Sequence, residues 1–233
     1  MNSSKLTILS GGAAQGLVGA QAAEFKAQSG CEIDGTFGAV GAMRDKLLSG
    51  TAADLLILTR ALIDDLAAQG HVVPGSIANI GTVLTAVAVR SGEPSPDVGN
   101  AAGLRAALLA ADAIYFPDPK LATAGIHFAK VIERLGIAAD VASRIKTYPN
   151  GATAMRELAA TRGGRPIGCT QVTEILNTPG AQLVAPLPKE FELATVYTAG
   201  VCTRAALPEQ ARGLVALLAG DTARAARQLA GFT

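Results

Sequence analysis

The chain has 233 residues, a formal net charge of +1 and 17% charged residues, so it carries no basic surplus for nucleic acid or an anionic membrane. With no tryptophan and 4% aromatic residues, it lacks the stacking platforms that bases and sugars use, and a small compact ligand suits it better. Hydrophobic residues make up 49% of the chain, enough core for one α/β domain or two small lobes. No apolar run approaches the roughly 20 residues of a membrane span, so membrane insertion is not expected. Cys31, Cys169 and Cys202 stand far apart without metal-ligand spacing, and neither a metal nor a cofactor is expected.

"KLTIL" reads as a short apolar strand, and Ala14–Ala27 follows with helical spacing of Leu17, Val18, Ala22 and Phe25. "CEIDGTF" is a second strand. "GAVGAMRDKLLSG" is a helix closed by Gly50, "DLLIL" a third strand, and "RALIDDLAAQG" a helix closed by Gly70. This βαβαβα order with short links predicts a mostly parallel sheet flanked by helices. "TVLTAVAVR", 82–90, is a longer alternating run, followed by the polar loop "SGEPSPDVGN". A second α/β series comes next: helix 101–111, strand "AIYF", helix 124–135, a segment around "RIKTYPN", helix 152–160, strand "PIGCT" and helix 172–177. "TVYTAGVCT", 195–203, is another long strand, and helices around 207–219 and 221–230 finish the chain. Two long strands bracketing a complete α/β series predict two crossings between lobes. Residues 1–82 plus 203–233 form lobe 1, 88–192 form lobe 2, and 83–87 and 193–202 are the crossover strands, with a ligand cleft expected between the lobes.

In parallel sheets ligands sit beyond the carboxyl ends of the strands, where helices begin. Three such turns, "GGAAQG", "FGAVGA" and "NGATA", are small and amide-rich. Backbone N–H groups at helix starts converge on an anion without any cationic side chain, and small residues let the ligand come close. The amides of Gly11, Gly12, Ala13 and Ala14, of Gly38, Ala39, Val40 and Gly41, and of Gly151 and Ala152 are therefore candidate ligand contacts, and Ala124 and Gly125 stand at a further strand end, "FPDPKLATAGIHF". Ser10, Thr59, Thr123, Thr153, Thr170 and Gln171 are the polar side chains at those ends. Asn150 and Thr123 also suit the N-cap positions of the helices they precede. Gln171 has no special capping value directly after an apolar strand. "GGAAQG" is neither a dinucleotide GxGxxG nor a P-loop.

Groups for catalysis are few. His127 lies on a helix three residues from Lys130 and seven from Arg134, a spacing that reads as a charged face. Lys120 stands in the loop before that helix, free to close over an anion or to remain in solvent. Glu174, three residues after Gln171, serves either as a base or as a helix cap. Asp118 between prolines reads as turn chemistry. No nucleophile–base arrangement, carboxylate pair or metal cluster assembles from these residues.

The segments "KLTIL-S-GGAAQGLV", "TFGAVGAMRDKLLSGTAADLLILTRALIDDL", "DPKLATAGIHFAKVIERLG", "GATAMREL" and "PIGCTQVTEI" resemble, in order and spacing over nearly the whole chain, the periplasmic molybdate-binding proteins of ABC transporters. The most specific pieces are "SGTAADLLILT" and "DPKLATAGIHFAK". The resemblance implies the two-lobed type II periplasmic-binding-protein fold. It also implies backbone contacts to ligand at Ala124 and Ala152. The family's serine in the first turn falls on Ala13, its second-turn serine has no counterpart in "FGAVGA", and its tyrosine hydroxyl is replaced by Gln171. With that hydroxyl cage missing, the resemblance points away from molybdate and toward a small organic carboxylate, as in the branch that aconitate isomerase also resembles.

Three functions fit these observations. One is a binding protein for a small organic anion, partnered by an ABC transporter permease if exported. Another is a cytoplasmic isomerase of an unsaturated di- or tricarboxylic acid, with Glu174, Lys120 or His127 moving the proton while strand-end amides hold the enolate-like charge. The last is a ligand sensor that passes lobe closure to a partner. "MNSSKLTIL" shows no basic n-region, apolar h-region or cleavage site. The expected location is the cytoplasm as the sequence stands, or the periplasm if a signal peptide has been trimmed.

Overall fold

The computed structural model describes residues 4–233. In chain order the strands and helices are β1 (Lys5–Gly11), α1 (Gln15–Ser29), β2 (Glu32–Gly38), α2 (Val40–Leu48), β3 (Leu55–Thr59), α3 (Arg60–Ala68) and β4 (Ala78–Arg90). They continue with α4 (Ala101–Ala110), β5 (Ala113–Pro117), α5 (Thr123–Arg134), α6 (Ala138–Val141), β6 (Ile145–Tyr148), α7 (Gly151–Ala160), β7 (Pro166–Gln171), α8 (Val172–Leu176) and β8 (Ala181–Pro186). The chain closes with β9 (Ala194–Val201), α9 (Pro208–Ala219) and α10 (Arg224–Leu229). It divides into two compact units: the first runs to Val83 and resumes at Thr195, and the second spans Leu84–Ala194.

The first unit holds a sheet in the order β2-β1-β3-β9, parallel except that β9 runs antiparallel to β3. Leu55, Leu56, Ile57 and Leu58 are all fully buried, which is why "LLIL" reads as a continuous apolar run rather than an alternating one. Asp54, one residue before β3, organises this unit. Its Oδ2 accepts from the Thr7 amide and the Thr7 hydroxyl at 2.8 Å each, and its Oδ1 from the amides of Ala206 at 2.7 Å and Leu207 at 2.9 Å. One carboxylate thus ties β1, the lead into β3 and the lead into α9. Burial pushes its pKa up, but the N–H and O–H donors outweigh burial and hold it below the ordinary aspartate value. The sequence reading placed Asp54 inside the strand and gave it no role.

In the second unit the sheet order is β8-β4-β7-β5-β6. The strands β5, β6 and β7 are parallel, whereas β4 runs antiparallel to both β7 and β8. One face buries Val87, Val89, Ile167 and Cys169 under α4 and α5 through Leu104, Leu108, Phe128 and Val131. The other buries Ala86 and Ala88 under α7 and α8 through Met155, Leu158 and Ile175. Gly168 is small because Met155 Cε would lie 2.5 Å from a Cβ there.

Several boundaries differ from the sequence reading for local reasons. β1 runs through Ser10 and Gly11, which were expected in the turn. β4 starts at Ala78 rather than 82, because Gly81 passes against Phe232 and Thr82 exchanges hydrogen bonds with Thr233 at 2.8 and 2.9 Å. β8 was not anticipated: its residues Ala181–Ala185 are all half-buried, with no alternation to betray a strand. Among the described residues no helix is long and apolar enough to cross a membrane, and no group of three His, Cys, Asp or Glu residues is placed to hold a metal. All three cysteines are buried and unpaired.

Candidate functional site

In the first unit the register sets Ser10 beside Phe37 of β2 and Ile57 of β3, so the turns after these strands stand side by side at the carboxyl edge. Ser10 is fully buried and its hydroxyl donates to the Gly11 carbonyl at 2.9 Å. Gly11 fills a contact that no larger residue fits, since a Cβ would lie 2.8 Å from Val40 Cγ1 and 3.0 Å from Tyr197 Cε1. Gly12, Ala13 and Ala14 form a single 3₁₀ turn into α1, preceded by Gly11 and without a side-chain cap. α2 begins after Ala39 and α3 after Thr59, again with no capping hydrogen bond from the side chain. Ala13, Ala14, Ala39, Val40 and Gly41 are buried, and Gly38 abuts Met43. Thr59 is half-buried. Three helix starts therefore meet at one sheet edge with first-turn amides that no side chain caps.

The second unit treats its helix starts differently. The end of β7 splits between the two sheet faces, because successive side chains alternate. Thr170 points to the α7 side, and its hydroxyl donates to Glu174 Oε2 at 2.5 Å. The backbone N–H groups of Gly151, Ala152 and Gln171 also donate to the Glu174 carboxylate. Asn150 caps α7, its Oδ1 accepting from the Thr153 amide at 2.8 Å and the Thr153 hydroxyl at 2.9 Å. The first-turn amides of α7 are thus occupied from within. Gly151, Ala152, Thr153 and Thr170, singled out in the sequence as ligand contacts, surround Glu174 and Asn150 instead. Burial raises the Glu174 pKa, and the Thr170 hydroxyl with the Ala152, Gln171 and Gly151 amides only partly offsets this.

The start of α5 is open by comparison. Its N-cap is Ala122, with no side-chain acceptor, and Thr123 is the first helical residue rather than the cap expected from the sequence. Ala124 and Gly125 are buried. Gly125 lets the turn close, since a Cβ would sit 2.3 Å from the carbonyl oxygens of Pro117 and Asp118. Asp118 Oδ1 accepts from the amides of Lys120 at 2.6 Å and Leu121 at 3.0 Å, which is the turn role expected of it. Gln171, 2% exposed, ends β7 on the α5 side. Opposite it on β4 stands Thr85, 1% exposed. The sequence reading passed over Thr85, although a lone threonine between Val83 and Val87 in an alternating strand is a legible signal.

The three residues nominated as proton carriers are not brought together. Glu174 lies on the α7 face, and His127 rides on α5 across the sheet. His127 Nε2 donates to the Phe191 carbonyl at 2.7 Å, which is the structural one of the two uses, solvated or structural, that its spacing leaves open. Lys120 is exposed in the β5–α5 turn. Lys120→Ala is expected to leave stability within about 0.5 kcal/mol of wild type, as urea denaturation would measure.

The family model described as bacterial extracellular solute-binding protein matches residues 6–233. The chain belongs to that family. Its fold is shared by the periplasmic molybdate-binding protein of Azotobacter vinelandii, at 18% identity over 98% of both chains with a TM-score of 0.79. The sulfate-binding protein SubI of Mycobacterium tuberculosis superposes with a TM-score of 0.76 at 17% identity, over 98% of this chain and 86% of that one. In sequence this solute-binding protein is 26% identical to an aconitate isomerase from a Pseudomonas species, over 97% of its own length and 87% of the isomerase. The mixed α/β fold expected from the residue pattern is the fold of these periplasmic binding proteins.

Proposed function

We propose that this solute-binding protein binds a small organic carboxylate through strand-end amides, and that molybdate is not its ligand. The observation that carries this reading is the contrast between helix starts. α4 and α7 are closed by Asn100 and Asn150, whereas α2 and α5 begin after Ala39 and Ala122 with no side-chain acceptor. Such starts favour an anion from outside the helix. Hydroxyl side chains, which a tetrahedral oxyanion would draw on, are absent at Ala13 and Ala39, and Gln171 stands where the resemblance calls for a tyrosine hydroxyl. The protein also seats one of its own carboxylates, Glu174, on the amides of α7, so carboxylate geometry suits helix starts in this unit. If the protein is exported, its macromolecular partner is a transporter permease.

A second reading, isomerisation of an unsaturated di- or tricarboxylic acid, draws on the aconitate isomerase relative and on the raised pKa of Glu174. The same amides would stabilise the charge that develops when a proton leaves a carbon next to a carboxylate. Against Glu174 as the base stands its cage of four donors. Proton NMR of a mixture of small carboxylic acids, including cis- and trans-aconitate, with substoichiometric protein separates the readings. Selective broadening of one acid is expected, and resonances that grow with time would establish turnover instead. Neither effect, together with binding of molybdate or sulfate, would overturn the carboxylate assignment.

A further inference from the structure

We infer that Thr85 is a ligand-contacting, specificity-determining residue of the second unit, its hydroxyl donating to an oxygen of the bound acid beside the first turn of α5. The inference rests on the carboxylate reading above.

The argument begins with strand register. β4 and β7 are antiparallel, and Thr85 pairs with Gln171, Val87 with Cys169 and Val89 with Ile167. Residues two apart on a strand share a face. Val87, Cys169, Val89 and Ile167 all pack under Phe128, Val131 and Ile132 of α5, so Thr85 and Gln171 continue that face to the carboxyl end of β7. A helix that follows a parallel strand begins at that same end, which brings the uncapped start of α5 to their level. Directly opposed residues of an antiparallel pair have Cβ atoms about 5 Å apart, close enough for Thr85 and Gln171 to address one small ligand.

The second observation is the hydroxyl itself. Thr85 is 1% exposed, and its Oγ1 has no hydrogen-bond partner among the described residues. Buried hydroxyls almost always find a partner, because an unsatisfied one destabilises the fold. Thr170 donates to Glu174, Thr178 to the Glu174 carbonyl and Thr198 to Asn79; Thr173 Oγ1 on α8 shares the unpartnered state, but only Thr85 combines it with a place opposite Gln171 on the α5 face. Valine has nearly the shape of threonine and would fill the position between Val83 and Val87 without that cost. A hydroxyl retained there is accounted for by an acceptor that arrives with the ligand, and a carboxylate oxygen held on the α5 amides is such an acceptor.

The test compares full-length wild type, Thr85→Val and Thr85→Ser by isothermal titration calorimetry with trans-aconitate and cis-aconitate, and by thermal unfolding without ligand. For Thr85→Val the expected result is at least about tenfold weaker binding, the scale of one hydrogen bond to a charged group, with an unliganded Tm equal to or above wild type. Thr85→Ser keeps the donor and is expected within about threefold of wild type. That pairing of lost affinity with preserved or gained stability is not what a merely structural hydroxyl produces. Thr85→Val binding as tightly as wild type would overturn the inference and leave the carboxylate reading standing. A lower unliganded Tm in Thr85→Val would overturn it too, since the hydroxyl would then serve the fold. Where wild type binds another acid of the mixture instead, the same comparison is made with that acid; wild type that binds none of them and binds molybdate or sulfate overturns the carboxylate reading and the inference with it.

Discussion

Gly151→Ala is expected to destabilise the second unit by about 3–5 kcal/mol, the scale of breaking a buried, hydrogen-bonded charge. A Cβ on Gly151 would lie 2.0 Å from both Glu174 Oε2 and Thr170 Oγ1, a distance that no rotamer adjustment of a methyl group relieves. The Glu174 carboxylate must then leave the amides of Gly151 and Ala152 while remaining buried among apolar residues of α7 and α8. Removing the carboxylate should soften the effect. The double variant Gly151→Ala/Glu174→Ala is expected to lose less than the sum of the two single losses, because the methyl group then has space. Urea denaturation of the four proteins measures this coupling, and strict additivity would show that the carboxylate and the glycine do not interact. The Glu174 carboxyl also has a pH signature. Its folded pKa is raised, so its contribution to stability is full below the unfolded value of about 4.3 and is lost as pH rises through the folded value.

Asp54→Ala is expected to cost about 3–5 kcal/mol in the first unit, because it leaves the amides of Thr7, Ala206 and Leu207 and the Thr7 hydroxyl without their acceptor. Asp54→Asn keeps the shape but turns an N–H₂ group toward backbone donors, and about 2–3 kcal/mol of loss is expected. The sign with pH is opposite to that of Glu174. The folded pKa of Asp54 is lowered, so its stabilisation is present above the unfolded value of about 3.9 and is lost as pH falls through the lower folded value. Wild type should therefore lose stability at acid pH more steeply than Asp54→Asn does. Parallel acid limbs for the two proteins would show that the clasp is not an ionised one. The same charge accounts for Cys202: burial, then repulsion by Asp54, lifts its thiol to about 12, so this cysteine is expected to stay inert to alkylation in the folded protein.

Much of the fold was legible along the chain. Alternation of strand and helix patterns, glycines such as Gly30, Gly50 and Gly70 just past helix ends, and the apolar run in β3 are local signals, and each produced the element it predicted. β8 was not legible, since a strand whose residues 181–185 are all half-buried has no period for a sequence to display. The candidate site divides in the same way. Which turns are small could be read from Gly12 and Ala39 without any structure, whereas the open start of α5 could not, because Thr123 reads as its cap and only the structure sets the cap at Ala122. What occupies a helix start could not be read. The amides of Gly151 and Ala152 looked equivalent to those of α5, and only the return of β7 into α8 places Glu174 upon them.

The sequence by itself therefore determined the alternation of strands and helices apart from β8, the family and the amide-rich character of the strand ends, because each depends on residues close together in the chain. The tertiary structure decided which of those amides are engaged by the protein's own side chains. It also decided that Asp54 clasps three distant segments and that Thr85 lies opposite Gln171 with its hydroxyl unsatisfied. The reason is physical: hydrogen-bond satisfaction of a buried group depends on which strands and helices become neighbours in space, and no local pattern encodes that pairing.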